Sequence, residues 1–223
     1  AGRVAAVIPA AGSGTRLGSS LPKAFVDLNG LSLLTRSALA MSAVADVVIV
    51  AAPSDYVEQA RIAVAELDAE VHIVIGGENR QESVAACLAV LPEDVEFVLI
   101  HDAARPLVPQ EVSLAVISQL QKGARAVVPA LSIADTVKRI DSQDVIVETI
   151  DRSVLRRIQT PQGFTREALH SAYADPTHVA TDDAGLMETL GIPVHTVPGS
   201  ELAMKITTAL DLEIARLLES AQS

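Results

Sequence analysis

Short β-branched runs alternate along this chain with segments whose apolar positions recur at helical spacing. Residues 4–9, 47–51, 71–75, 97–101 and 126–129 read as strands. Residues 33–43, 56–67, 81–91 and 111–121 read as the helices between them. Repeated βα units with right-handed crossovers predict an α/β fold built on a Rossmann-like, doubly wound, mostly parallel sheet. Ligands of such sheets bind beyond the carboxyl ends of the strands. That face would carry the loop after residue 9, Gly76-Gly77, and His101-Asp102.

After Pro129 the rhythm breaks. Two short β-like pieces, 136–140 and 145–149, flank the polar turn Asp141-Ser142-Gln143-Asp144. Together they predict a β-hairpin arm over residues 131–152. An isolated two-stranded ribbon is marginal in water, so packing on another subunit, as a homodimer, is expected. A short strand (194–197) and a final helix (210–220) close the chain. The whole of 1–223 reads as one domain with the arm as its excursion.

Composition narrows the function. Hydrophobic residues make up 49% of the chain but aromatics only 2%, the aliphatic filling of a parallel sheet covered on both faces. A net charge of −11 argues against nucleic acid or an anionic membrane as the main partner. No apolar run approaches the roughly 20 residues of a membrane span, and no secretory leader is visible. The one cysteine, Cys87, cannot form an internal disulfide and lies in an apolar helical pattern. It reads as core, and the protein as cytoplasmic.

The segment Pro9-Ala10-Ala11-Gly12-Ser13-Gly14-Thr15-Arg16-Leu17-Gly18, followed by Pro22-Lys23, carries the first chemistry. Glycines let backbone N–H groups wrap an anion. Arg16 and Lys23 beside such a cradle suit a phosphoryl group that gains charge during reaction. The plainer reading is a flexible turn with solvated cations. Two familiar loops are excluded. A Walker lysine would follow its last glycine directly, whereas Ser19 follows Gly18. A dinucleotide fingerprint wants a small residue at Leu17 and an acid ending the second strand, which instead runs into Ala51-Ala52-Pro53.

Other segments admit two readings each. Gly76-Gly77-Glu78-Asn79-Arg80-Gln81-Glu82-Ser83 is either an ordinary turn into a helix or a surface for a flat base or sugar, with Ser83 in contact. In His101-Asp102-Ala103-Ala104-Arg105-Pro106, Asp102 could hold a Mg²⁺ that bridges phosphates, and Arg105 could clamp a phosphate. The alternative is an internal Asp–Arg pair, with His101 structural in either case. Arg152 and Thr160 could bind a second phosphate, whereas Arg156 and Arg157 read equally well as solvated surface. Thr181-Asp182-Asp183 is explained by helix capping alone. Lys205 interrupts an apolar run and either snorkels or points into a site.

Taken together these motifs, with Asp135-Thr136-Val137-Lys138, Thr160-Pro161-Gln162 and Lys205-Ile206-Thr207, resemble the 2-C-methyl-D-erythritol 4-phosphate cytidylyltransferases of the non-mevalonate isoprenoid pathway. Ala209, where proline is expected, and Glu78, a position that is often aspartate, depart from the pattern. The resemblance implies transfer of CMP from CTP to 2-C-methyl-D-erythritol 4-phosphate, a polyol phosphate, with release of pyrophosphate and with Mg²⁺ or another divalent cation as cofactor. It implies catalytic Arg16, Lys23 and Lys205. Nucleotide contacts would come from Pro9, Ala10, Ala11, Gly12, Gly14, Gly77, Glu78 and Ser83. Asp102, Arg105, Thr136, Arg152, Thr160 and Thr181 would serve the second substrate, some of them from a partner's arm, and Asp102 the metal. A ribitol-5-phosphate cytidylyltransferase is the nearer rival, but such relatives tend to carry Leu-Ala-Gly-Gly and Asp-Ser-Val-Arg-Pro where this chain has Pro9-Ala10-Ala11-Gly12 and Asp102-Ala103-Ala104-Arg105-Pro106. A silent nucleotide-binding protein on the same scaffold would need fewer cations.

Overall fold

The computed structural model describes residues 2–12, 20–175 and 177–222. The chain opens with β1 (Arg3–Pro9), then a small hairpin of β2 (Asp27–Leu28) and β3 (Leu31–Ser32), then α1 (Leu33–Ser42). Alternation follows through β4 (Val47–Ala52), α2 (Val57–Ala63), β5 (Glu70–Ile75), α3 (Arg80–Leu88), β6 (Val95–Ile100), α4 (Gln110–Gln121) and β7 (Ala126–Ser132). The arm is β8 (Val137–Ile140) and β9 (Ile146–Ile150). β10 (Arg156–Ile158) and β11 (Gln162–Thr165) return to the sheet. α5 (Arg166–Tyr173), α6 (Asp183–Thr189), β12 (Val194–Pro198) and α7 (Ala209–Gln222) complete the chain.

The strands β5, β4, β1 and β6 lie side by side in parallel. β11 follows antiparallel to β6, and β7 lies antiparallel to β11. β12 pairs in parallel with β7, and β10 pairs antiparallel with the last residues of β7. The mostly parallel sheet is therefore as expected, with β10 and β11 antiparallel to their neighbours.

Side-chain alternation makes the two-faced core. Val4, Ala6 and Ile8 of β1 join α1, α2 and α4 on one face. Ala5 and Val7 join α3, α5 and α6 on the other. A strand buried on both faces reads as a continuous apolar run, which is why β1 and β4 are so plain in the sequence. Short polar side chains start the helices. The Ser32 hydroxyl accepts from the Thr35 N–H at 3.0 Å, and the Asn79 side-chain oxygen from the Glu82 N–H at 2.9 Å.

Three features lie outside the sequence expectations. The β2–β3 hairpin turns at Asn29-Gly30, both with positive φ, the combination a two-residue hairpin demands. β10 and β11 offer too few alternating apolar residues to announce themselves. The helix expected over 56–67 is α-helical only from Val57 to Ala63. Cys87 is core, as expected, and burial pushes its thiol up to about 12. In the arm, Ile140, Val145, Ile146 and Val147 are exposed. The same chain in isolation thus presents a bare apolar ribbon.

Candidate active site

The site forms where β1, β5 and β6 end. Ala10 continues the sheet pairing, its N–H donating to Ala51 C=O at 2.8 Å, and leads into Ala11 and Gly12. Opposite, Gly76-Gly77 carries the chain from β5 into α3. A Cβ on Gly76 would sit 2.6 Å from the Ala11 Cβ, and one on Gly77 would sit 2.2 Å from the Glu82 Cβ. Glycine at 76 lets the two loops approach this closely, and glycine at 77 lets the chain pass this close to the first turn of α3. The Ser83 hydroxyl accepts from the Gly77 N–H at 3.1 Å and donates to Asn79 C=O at 3.0 Å, and Glu82 accepts from the Glu78 N–H at 2.7 Å. The segment is a braced helix start, and Gly77, Glu78 and Ser83 line the cleft.

The loop after β6 is braced from below. The His101 N–H donates to Val7 C=O at 2.9 Å. One ring nitrogen, Nε2, lies 3.1 Å from Arg105 C=O, and a carbonyl can only accept, so Nε2 carries the proton. Nδ1 then accepts from the Thr160 hydroxyl at 2.9 Å, and that hydroxyl accepts from the Asp102 N–H at 3.0 Å. Burial pulls the His101 pKa down to about 4, against the attraction of Asp102. The ring is therefore neutral near pH 7 and serves as a structural clamp. The hydroxyl of Ser37 on α1 donates to Ala103 C=O at 2.8 Å from the other side.

The same loop positions Lys205. Arg105 Nη1 donates to Ala203 C=O at 2.8 Å, and the Ile206 N–H donates to Ala104 C=O at 2.8 Å. Lys205 is held between these two ties. Its Nζ lies 3.2 Å from Asp102 Oδ2. Arg105 Nε is 3.5 Å from the same oxygen, and Arg80 Nε is 3.2 Å from Oδ1. Burial by itself would raise the Asp102 pKa, but Arg80, Lys205 and Arg105 together outweigh it and hold the carboxyl well below the usual carboxylate range. Asp102 is thus an anion set in a ring of cations. Both readings of Asp102–Arg105 survive, because the internal pair exists and its carboxylate still borders the cleft.

These loops enclose a cleft of about 390 Å³. Pro9, Ala10, Ala11, Gly12, Lys23, Gly77, Glu78, Ser83, Asp102 and Lys205, all expected at the site, line it. Lys23 opens a 3₁₀ turn, Lys23–Phe25, that delivers it there. Gly14 and Arg16 lie outside the described residues. Arg105 sits behind Asp102, and Thr160 is buried in the brace beneath it, so both act at one remove from the cleft surface. Thr136 and Arg152 stand exposed at the base of the arm, and Thr181 is exposed just before α6. Within one copy of the chain these three do not reach the cleft lining. Asn79, Arg80 and Thr207 line it without having been assigned a role from sequence. The signal that could have found Arg80 is its place as the first helical residue behind a glycine pair.

Among the described residues no three His, Cys, Asp or Glu side chains cluster as a metal cage. A Mg²⁺ that takes its remaining ligands from phosphates and water needs only one or two protein carboxylates, and Asp102 borders the cleft. By that criterion the residues fit the ion.

A sequence model of the IspD family, 2-C-methyl-D-erythritol 4-phosphate cytidylyltransferase, matches residues 4–219. The chain is 49% identical to the protein of that description from Rhodococcus opacus over 219 residues, covering 97% of this chain and 95% of that one. It is 48% identical to the one from Nocardia farcinica over the same length, with 97% and 94% covered. Among solved structures, 4-diphosphocytidyl-2C-methyl-D-erythritol synthase from Anaerococcus prevotii is similar with a TM-score of 0.85 and 28% identity, over 98% of this chain and 99% of that one. The cytidylyltransferase of Thermus thermophilus gives 0.80 and 33% identity over 98% and 99%.

The neutral His101 has a measurable consequence. Its folded pKa of about 4 lies below the ordinary value of roughly 6.5, so below pH 6.5 the unfolded chain binds a proton that the folded chain refuses. The stability this ring contributes is complete above pH 6.5 and is lost as pH falls towards 4. Urea unfolding of wild type and His101→Gln at pH 7 and pH 5 should show wild type losing about 2 kcal/mol more than the variant over that interval. Parallel losses in the two proteins would contradict the neutral clamp.

Proposed function

The chain belongs to the family of 2-C-methyl-D-erythritol 4-phosphate cytidylyltransferases, and we propose that the cleft beside Asp102 is where it performs their reaction. The enzyme transfers CMP from CTP to 2-C-methyl-D-erythritol 4-phosphate, giving 4-diphosphocytidyl-2-C-methyl-D-erythritol and pyrophosphate. One observation carries the assignment to this cleft. A backbone-lined half (Pro9 to Gly12, Gly77) and a cationic half (Lys23, Arg80, Lys205) share a single cavity.

In this reading cytidine lies on the backbone half, against Ala10, Ala11, Gly12, Gly77, Glu78 and Ser83, with the triphosphate across the cations. An oxygen of the methylerythritol phosphate attacks the α-phosphorus in line. A new P–O bond forms, the α–β bridging P–O bond breaks, and its electron pair leaves on pyrophosphate. A phosphate monoester with a second pKa near ~6 is already largely a dianion at neutral pH, so no side chain needs to remove a proton. The protein's task is positioning and charge stabilisation. Lys23 and Lys205, together with Arg16, neutralise charge that grows on the α-phosphoryl oxygens and the leaving group. Asp102 is the residue to hold a Mg²⁺. When bound, that ion would offset triphosphate charge.

The exposed arm supports a homodimer. Two arms packed on neighbouring subunits would cover Ile140, Ile146 and Val147 in an isologous contact. Such a contact would also bring Thr136 and Arg152 towards the partner's cleft, where Arg105, Thr160 and Thr181 stand behind or beside it. A buried thiol and a strongly acidic surface suit a reducing cytoplasm.

Two tests follow from this assignment. Pyrophosphate release from CTP with methylerythritol phosphate should depend on Mg²⁺ and should exceed the rate with ribitol 5-phosphate. Lys23→Ala and Lys205→Ala should each lower kcat by about 100-fold or more, with a much smaller effect on CTP affinity. A rise in KM for CTP at unchanged kcat would make the lysine a ground-state contact instead, and faster turnover of ribitol phosphate would transfer the assignment to that substrate.

The arm is tested by mixing subunits that carry Arg152→Ala with subunits that carry Lys23→Ala. If Arg152 acts in trans, each heterodimer pairs one doubly damaged site with one intact site. Random assembly then restores roughly a quarter of wild-type activity. No recovery after verified exchange, or a monomer in sedimentation, would contradict the shared site.

A further inference from the structure

Capping explains only part of Thr181-Asp182-Asp183. Asp182 is the cap of α6, its carboxylate accepting from the Gly185 N–H at 2.9 Å and from the Gln162 side-chain amide at 2.8 Å. Asp183, one residue on, turns inward and has a side chain only 1% exposed. A carboxylate at that depth costs several kcal/mol unless charge and hydrogen bonds compensate it. Two groups do so here. The Tyr173 hydroxyl, at the end of α5, donates to Oδ1 at 2.6 Å, and Arg80 Nη1 donates to Oδ2 at 2.7 Å.

Arg80 spends the other side of its guanidinium on Asp102, through Nε at 3.2 Å. The contacts therefore run without a gap from Tyr173 to Asp183, to Arg80, to Asp102 and to Lys205. Burial and the Asp183 anion both raise the Tyr173 pKa, which keeps the hydroxyl a donor at neutral pH. Arg80 is also the first residue of α3, directly behind the Gly77–Asn79 wall of the cleft. One side chain thus ties the loop proposed for the nucleotide to the carboxylate at the phosphate end. Neither Tyr173 nor Asp183 is among the residues lining the cleft.

Without Asp183, Arg80 would answer to Asp102 alone, and its fork would be free to turn both nitrogens onto that carboxylate. Oδ2, now shared by Lys205 and Arg105, would lose its fixed direction. We propose that Tyr173 and Asp183 are positioning residues for the transfer reaction, fixing Arg80 so that Asp102 is pinned through Oδ1 and presents Oδ2 to Lys205. The proposal rests on the reading of this cleft as the transfer site. It assigns the second aspartate of the motif to alignment of the reacting groups, beyond the helix start that Asp182 already serves.

Steady-state pyrophosphate release, CTP binding by calorimetry and thermal melting should be measured for wild type, Tyr173→Phe, Asp183→Asn and the double variant. Thr165→Ala serves as the stability control, since it removes the hydroxyl that caps α5 at the end of the helix opposite Tyr173. Misalignment predicts kcat lower by about tenfold in Tyr173→Phe and about 100-fold in Asp183→Asn, with CTP affinity changed by no more than about threefold. The double variant should be no slower than Asp183→Asn, because Tyr173 acts only through that carboxylate. Thr165→Ala should melt lower at unchanged kcat. Retention of kcat in both variants alongside lowered melting temperatures would overturn the proposal, as would effects that multiply in the double variant. If Asp183→Asn does not fold, Tyr173→Phe decides by the same criterion. A wild type that releases no pyrophosphate would instead overturn the underlying assignment of the reaction.

Discussion

The buried carboxylate of Asp102 is the charge on which the cleft depends. An isolated anion at that depth would be costly, and three cations compensate it from three parts of the chain. Arg80 comes from the start of α3, Arg105 from the same loop, and Lys205 from the segment before α7. Each of these segments is placed, in part, by the need to reach that carboxylate. The backbone under it is equally constrained, since its own N–H is held by Thr160 and the neighbouring His101 ring is locked as a neutral bridge. The ring of cations and the brace beneath it are one unit, with the anion as its common member.

Around that unit the protein uses two kinds of preorganisation. One end of the cleft is backbone, brought close by Gly76 and Gly77 and stiffened by Ser83 and Glu82. Backbone groups are suited to reading the edges of a base because they cannot swing away. The other end is cationic, and its charges are already in place before any phosphate arrives. Charge that need not reorganise during the reaction is the most effective kind of transition-state stabilisation, with a single such contact worth about 3 kcal/mol. The central proposal is that transfer proceeds by positioned charge alone, with the incoming phosphate as nucleophile and no intermediate bonded to the protein.

Much of this was legible in the residues. β1 and β4 are unbroken apolar runs because both of their faces are buried, and Gly76-Gly77 and His101-Asp102 fall at strand ends, where ligands of such sheets bind. Lys205 is conspicuous in an apolar run, and the structure carries it to Asp102. The antiparallel β11 is hard to read from sequence because Phe164 is its one large apolar residue, set between Gly163 and Thr165. Asn29-Gly30 is a strong hairpin signal, but its strands are two residues each and too short to show alternation. The role of Arg80 is hidden in its motif, since nothing local reveals that one guanidinium will bridge carboxylates 22 and 103 residues away. Thr160 points the other way. Its place near an arm suggested a ligand contact, yet its buried hydroxyl is committed to His101 and Asp102. Local pattern reports burial and turns well, whereas long-range charge pairing is decided by topology.

The stereochemical course at the α-phosphorus tests the central claim most directly. CTP made chiral by sulfur at one α-oxygen would be turned over with methylerythritol phosphate, and the configuration of the thio-substituted product determined. A single in-line displacement by the substrate phosphate predicts inversion at phosphorus. Retention would require two displacements, hence a nucleotide bonded to a side chain of the protein, and would contradict catalysis by positioned charge alone.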